Sequence, residues 1–265
     1  MPTVSANGVD LWVEQDGRGD DVLFISGLAD EGACWVDQVA GLRDRYRITI
    51  FDNRGVGRSA TPDGPFQITD FASDTAALMD ELRLESAHIV GSSMGGAIAQ
   101  ELALSRPERV RSLVLNGTWS RGDRFLHEIF RSWMWSAQKA DSIRDFLVAV
   151  NLWCFSPRIW NEGIMDEWLE AAAASPYPQS VDAFCRSAEA LLGHDTAERI
   201  GAISAPTLVT VGELDLVLPP RFSRDLVERI PGARLVVVPE AGHQPFQELP
   251  EDYNRILLEF WQSVG

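Results

Sequence analysis

The chain has 265 residues, 45% hydrophobic and 23% charged, which suffices for one large α/β domain or two small ones and excludes a disordered or fibrous protein. Its 23 Lys and Arg against 39 Asp and Glu leave a formal charge of -16, a field that repels nucleic-acid phosphates and anionic lipid surfaces, so neither is an expected partner. Cys34, Cys154 and Cys185 are an odd number without C-x-x-C spacing, which argues against a disulfide framework or a zinc site and leaves three small buried hydrophobes.

Residues 1–7 lack the basic stretch and apolar run of a signal peptide, and no stretch has the length needed to span a bilayer. A cytoplasmic location is the expectation. From Val9 onward the chain alternates strand and helix patterns, the signature of a mostly parallel sheet covered on both faces. Val9 to Glu14 and Val22 to Ile25 read as strands, Ala33 to Arg45 as a helix and Arg47 to Phe51 as the next strand. Ile68, Phe71, Thr75, Leu78, Met79 and Leu82 put one apolar stripe on a helix. Ala87 to Val90 reads as a buried central strand, and Met94 to Ser105 as a helix that stops before Pro107, because the residue preceding proline disfavours helical backbone. Val110 to Leu115 is another strand. The final third repeats the alternation, with strands at Thr207 to Val211 and Leu235 to Val238 and helices near Phe222 to Ile230 and Tyr253 to Val264.

Between Gly117 and about Arg199 the alternation disappears and aromatic-rich helical patterns take over, with Trp119, Trp133, Trp135, Trp153, Trp160 and Trp168, six of the nine tryptophans, in this stretch. The expected organisation is a core of residues 1–116 and 200–265 with a helical cap of residues 117–199 over the strand ends, where open α/β sheets hold ligands. Trp119, Trp133, Trp135 and Trp153 are the candidate substrate contacts, against the plainer reading that such tryptophans form the cap's own core.

Gly91-Ser92-Ser93-Met94-Gly95 matches G-x-S-x-G at the junction of a predicted strand and a predicted helix. A nucleophile on so tight a turn needs neighbours without side chains, which Gly91, Gly95 and Gly96 supply. Serine is a weak nucleophile until a base takes its proton and an acid orients that base. Asp215 follows the strand Thr207 to Val211, with Glu213 as the competing acid two residues nearer the strand, and His243 follows the next strand in Ala241-Gly242-His243. The order Ser93, Asp215, His243 places each group in a loop after a strand end. His88 opens a predicted strand, while His127 and His194 lie in or beside the cap. All three are expected to be structural or solvent-facing.

These motifs, together with Ser26-Gly27-Leu28, Asp52-Asn53-Arg54-Gly55-Val56-Gly57-Arg58-Ser59, Gly212-Glu213-Leu214-Asp215 and Gly242-His243, give the chain a resemblance to the α/β-hydrolase family over residues 9 to 264. The resemblance implies a mostly parallel eight-stranded sheet flanked by helices, with a helical lid inserted after the sixth strand, and a Ser93–Asp215–His243 triad. It also implies that the backbone N–H groups of Leu28 and Met94 form the oxyanion hole, and that the Asp52 to Ser59 loop braces the rim, with Asp52 paired to Arg54. Ser26-Gly27 stands where many members have His-Gly, which resembles the subset containing enol-lactonases and aminoacrylate or acylaminoacid-type hydrolases. The chemistry implied is carboxylic ester or lactone hydrolysis of a small, partly apolar or cyclic molecule, without metal or organic cofactor. Two alternatives stand beside it: carbon–carbon bond hydrolysis of ring-cleavage products, disfavoured by Gln244 where such enzymes commonly carry Trp, and a hydrolase-fold receptor with slow turnover. Arg121, Arg124 and Arg131 would matter if the substrate carried a carboxylate. Oligomeric state has no signature in the sequence.

Overall fold

The computed structural model describes residues 3–264. Eight strands form one sheet in the order β1-β2-β4-β3-β5-β6-β7-β8, with β1 Thr3–Ala6, β2 Val9–Gly17, β3 Asp20–Ile25, β4 Tyr46–Phe51, β5 Ala87–Ser92, β6 Val110–Asn116, β7 Thr207–Gly212 and β8 Arg234–Val238. β1 and β2 run antiparallel to each other and β2 runs antiparallel to β4, while every other pairing is parallel. The expected eight-stranded, mostly parallel sheet is therefore present.

Successive residues of a strand point to opposite faces, so a parallel sheet covered on both sides needs apolar residues at odd and even positions alike. β3 shows this directly. Leu23 and Ile25 join one buried cluster, shared with the helices α2 Ile68–Glu81 and α3 Met94–Ser105, whereas Val22 and Phe24 join a second, shared with α1 Val36–Leu42 and with Tyr253, Leu257, Phe260 and Trp261 of the C-terminal helix Pro250–Val264. β5, at the centre, is buried at every position.

Between β6 and β7 lie five helices: α4 Arg124–Lys139, α5 Ile143–Cys154, α6 Pro157–Asn161, α7 Ile164–Ala173 and α8 Val181–Leu192. Three begin on a side chain that accepts an otherwise orphaned helix N–H: Asp123 from Leu126 (2.8 Å), Ser142 from Asp145 (3.1 Å) and Ser180 from Ala183 (3.1 Å). After β7 come α9 Pro220–Arg229, α10 Pro245–Glu248 and α11 Pro250–Val264. Among the described residues no helix is long and apolar enough to cross a membrane.

Three local expectations change. The helix expected over Ala33 to Arg45 is a 3-10 turn, Gly32–Trp35, followed by the shorter α1; the chain bends where Trp35 inserts beneath the sheet, stacked on Phe246 with ring centroids 3.9 Å apart. β1 precedes the first strand read from the sequence and pairs with β2 through Asn7 and Gly8, both at positive φ (51° and 75°), the backbone that a two-residue hairpin of Asn-Gly adopts. Asp52 and Arg54 do not pair. Arg54 instead makes a bidentate, buried ion pair with Asp74 of α2 (2.6 Å for both bonds), while Asp52 accepts from the N–H groups of Gly32 and Arg58 and from the Arg58 guanidinium (2.7, 2.9 and 3.1 Å). The brace is real but spans different partners, because the buried α2 carboxylate lies where the Arg54 fork can meet both its oxygens.

Candidate active site

Ser93 is the single residue between β5 and α3, at φ 55° and ψ -116°, a backbone region that costs a non-glycine residue on the order of 1–3 kcal/mol. The surroundings hold it there. Its N–H donates to the carbonyl of Asn116 (2.9 Å), and its carbonyl accepts from the N–H of Gly96 (2.9 Å) and from the Thr118 hydroxyl (2.9 Å). The glycines around it are required by close approach: a Cβ on Gly91 would run into the carbonyl of Gly95, one on Gly95 into the carbonyl of Ile25, and one on Gly96 would stand 2.6 Å from the Thr118 Cβ. The elbow is thus wedged between the ends of β3 and β6.

His243 and Asp215 come together from the loops after β8 and β7, with Nδ1 2.7 Å from Oδ2. The carboxylate accepts, so Nδ1 carries the proton and Nε2 is left as the basic nitrogen. Asp215 is pinned through its other oxygen by the N–H groups of Val217 (2.9 Å) and Leu218 (2.8 Å). The His243 backbone is tied at both ends: its N–H donates to the Cys154 carbonyl at the end of α5 (2.7 Å), and its carbonyl accepts from Asn116 (3.3 Å). Gly117 lies against this pair, where a Cβ would stand 3.0 Å from the imidazole Nδ1 and 3.2 Å from Asp215 Oδ2. Burial pushes the imidazole towards its neutral form, but the carboxylates of Asp215 and Asp30 outweigh it and hold the His243 pKa above its ordinary value. Glu213, the competing acid, is exposed and accepts from the Glu240 N–H (3.2 Å), away from any imidazole.

Ser93, His243 and Asp215 are all buried, at 9, 4 and 2% exposure. Leu28 lies in the turn after β3, where the Asp30 N–H returns to the Gly27 carbonyl (3.4 Å); the Cβ position of Gly27 is 3.5 Å from the Ser93 Cβ, so this turn packs directly on the elbow. Met94 opens α3, and its N–H therefore has no acceptor within the helix. Of the two residues named from the resemblance, Met94 directly follows Ser93 and Leu28 directly follows the Gly27 that packs on it.

The inserted helices meet the His243 loop at the α5–α6 junction. Glu248 of α10 accepts from the Ser156 N–H and hydroxyl and from the Gly242 N–H (3.0, 2.5 and 2.9 Å). Of the tryptophans, Trp119 is fully buried against Phe130 and His194, and Trp133 packs on Phe130. Trp153 is half-buried, and Trp135 stands 66% exposed on α4. Trp119 and Trp133 serve the packing of the insertion, and the ring of Trp135 faces solvent. Arg121 pairs with Asp195 and Glu198 on the surface, Arg131 with Glu128, and Arg124 is exposed. No guanidinium among these three enters the site.

Sequence reasoning missed Asp30. It lies three residues beyond Gly27, half-buried, with its carboxylate 3.4 Å from the amide nitrogen of Gln244, the neighbour of His243. Burial pushes its pKa up to about 6, against the lowering effects of His243 and Gln244. The available signal was an acidic residue inside the turn after β3, three residues past Gly27. Among the described residues no group of three or more His, Cys, Asp or Glu side chains could hold a metal ion, and Cys34, Cys154 and Cys185 are free thiols, the first and third half-buried.

Comparison with known proteins bears on the fold. A family model described as alpha/beta hydrolase fold matches residues 21–248. A protein of Azorhizobium caulinodans carrying the provisional name carbamate hydrolase RutD is 33% identical, over 100% of this chain and 99% of its own length. The crystal structure of the enol-lactonase from Burkholderia xenovorans LB400 superposes with a TM-score of 0.90 at 26% identity, covering 98% of this chain and 100% of that one. A meta-cleavage product hydrolase from Pseudomonas fluorescens IP01 superposes with a TM-score of 0.86 at 26% identity, covering 100% of this chain and 98% of the other.

Proposed function

This chain belongs to the alpha/beta hydrolase family, and we propose that within it the protein is a serine hydrolase of carboxylic esters or lactones working through an acyl-enzyme. The observation that carries the reading is the strained Ser93 elbow packed against the Gly27 turn, joined through Asn116 to a His243 whose Nδ1 is committed to Asp215. An imidazole so held offers Nε2 as a base. Ser93 Oγ gives its proton to His243 as it attacks the substrate carbonyl; the Leu28 and Met94 N–H groups receive the developing oxyanion; His243 then protonates the leaving alkoxide. Water repeats the cycle on the acyl-enzyme and releases the acid. Two aimed N–H donors in a water-poor site are worth roughly 3 kcal/mol each in barrier height. Asp215 orients the ring and stabilises its charged form without taking the proton.

In this reading residues 117–199 are the cap, held over the site by the Cys154 carbonyl, which accepts from the His243 N–H, and by Glu248, which accepts from both the Ser156 and the Gly242 N–H groups. The enol-lactonase and the carbamate hydrolase among the relatives support attack on a carbonyl. The substrate is a small molecule, handled in a reducing cytoplasm that suits the three free thiols. The test is a fluorophosphonate probe followed by peptide mass mapping, together with the pre-steady-state burst from p-nitrophenyl acetate. Covalent label on Ser93 and a burst of one product per chain are expected; a protein that carries no label and shows no burst is not a serine hydrolase.

A further inference from the structure

Asp30 poses a question that the triad does not answer. A carboxylate beside the reacting carbonyl favours the imidazolium of His243 but opposes the negative charge that forms on the substrate oxygen, and a positive group on the substrate would offset that second effect. Its location is tightly defined. The position a Cβ on Gly27 would take is 2.8 Å from Asp30 Oδ2 and 3.5 Å from the Ser93 Cβ, so the carboxylate and the nucleophilic residue both pack on this one glycine. No Lys or Arg among the described residues pairs with it; its side-chain partner is Gln244, through one long hydrogen bond of 3.4 Å. Gln244 is itself only 7% exposed, and with its NH2 turned to Asp30 its buried carbonyl oxygen has no hydrogen-bond partner. Asp30 and the Gln244 amide thus adjoin one another, the first charged and the second with an unsatisfied oxygen, on the residue that directly follows His243, and buried acceptors of this kind call for a donor.

Resting on the serine-hydrolase reading above, we infer that Asp30, with Gln244, is a specificity-determining site that selects substrates bearing an ammonium or other N–H donor near the reacting carbonyl and turns away those bearing a carboxylate there. A substrate cation satisfies both acceptors. It also neutralises Asp30 at the moment the oxyanion forms, so the group that opposes neutral and anionic substrates ceases to oppose this one. With its pKa at about 6, Asp30 is ionised at pH 7.5, where the selection operates.

The experiment uses three methyl esters of nearly one shape at pH 7.5: β-alanine methyl ester, methyl butyrate and monomethyl succinate, carrying an ammonium, a methyl and a carboxylate at the same end. Each is run as a competitor of p-nitrophenyl acetate, so a slowly turned-over ester still registers as an inhibitor. The ammonium ester should compete at least about tenfold more strongly than the carboxylate ester, with butyrate between, and in Asp30→Asn the spread should shrink to within about threefold. Asp30→Ser serves as a second variant, and the wild-type ranking needs no variant at all. Equal or weaker competition by the ammonium ester, or an unchanged spread in a folded Asp30 variant, overturns the inference while leaving the triad intact. Failure of the fluorophosphonate label and of the p-nitrophenyl acetate burst would instead bring down the reading beneath it.

Discussion

His243 Nδ1 lies 2.7 Å from Asp215 Oδ2, and the other oxygen of that carboxylate is held by the N–H groups of Val217 and Leu218 at 2.9 and 2.8 Å. Asp215 therefore cannot rotate away from the imidazole without leaving two buried N–H groups unpaired. Replacing Ser93 by Ala is expected to lower kcat by about 10⁶, and Asp215 by Asn by about 10⁴, because the ring then remains present in the wrong tautomer. Single-turnover rates with p-nitrophenyl acetate check both, and a Ser93→Ala protein with near-normal turnover would refute the triad.

The pH profile follows from the charges around His243. The base must be neutral, so kcat/KM rises with pH through the imidazole pKa, and because the Asp215 and Asp30 carboxylates hold it up against burial, the limb should lie above the ordinary value of about 6.5. Asp30→Asn removes one of those negative charges. The limb measured with neutral p-nitrophenyl acetate should then move to lower pH; a limb that stays or rises contradicts the arrangement.

The Arg54–Asp74 pair is buried, with the guanidinium near the rings of Phe66 and Phe71 (5.6 and 5.7 Å to their centroids). Asp74→Ala strands a charge that has no water to turn to, and should destabilise the fold by about 3–5 kcal/mol. Urea unfolding measures this directly. A loss below 1 kcal/mol would mean that Arg54 finds another partner.

Acid sensitivity should come from two histidines outside the site. Burial lowers His88 and His194 to about 4 each. The unfolded chain takes up these protons near pH 6.5, the folded chain only near 4, so between those values the unfolded state holds more protons and stability falls as pH falls. Each residue contributes up to about 3 kcal/mol to that loss. In His88→Gln and His194→Gln, stability measured by urea unfolding should fall less steeply from pH 6.5 to 4 than in the parent, and a slope as steep as the parent's would assign the loss elsewhere.

Much of this protein is written locally. The strand from Ala87, the helix from Met94 and the Ser93 elbow between them are legible because apolar runs, glycine spacing and a stop before Pro107 act within a few residues of one another. The N-terminal hairpin was not read from the sequence, although Asn7-Gly8 at its turn carried a local signal for it. Asp215 and His243 could be named because each follows a recognisable strand end. What the sequence could not supply is which distant side chains meet. Arg54 finds Asp74 rather than Asp52, Trp119 packs in the insertion while Trp135 faces solvent, and Arg121 turns to Asp195. These choices depend on helix rotation and on how elements far apart in the chain pack, which periodicity does not encode. Asp30 is the sharpest case. As a letter in Leu28-Ala29-Asp30 it is one acid among many in a chain of charge -16, and only the packing of the Gly27 turn on Ser93, with Gln244 arriving from the other end of the chain, makes it a group that the reaction must take into account.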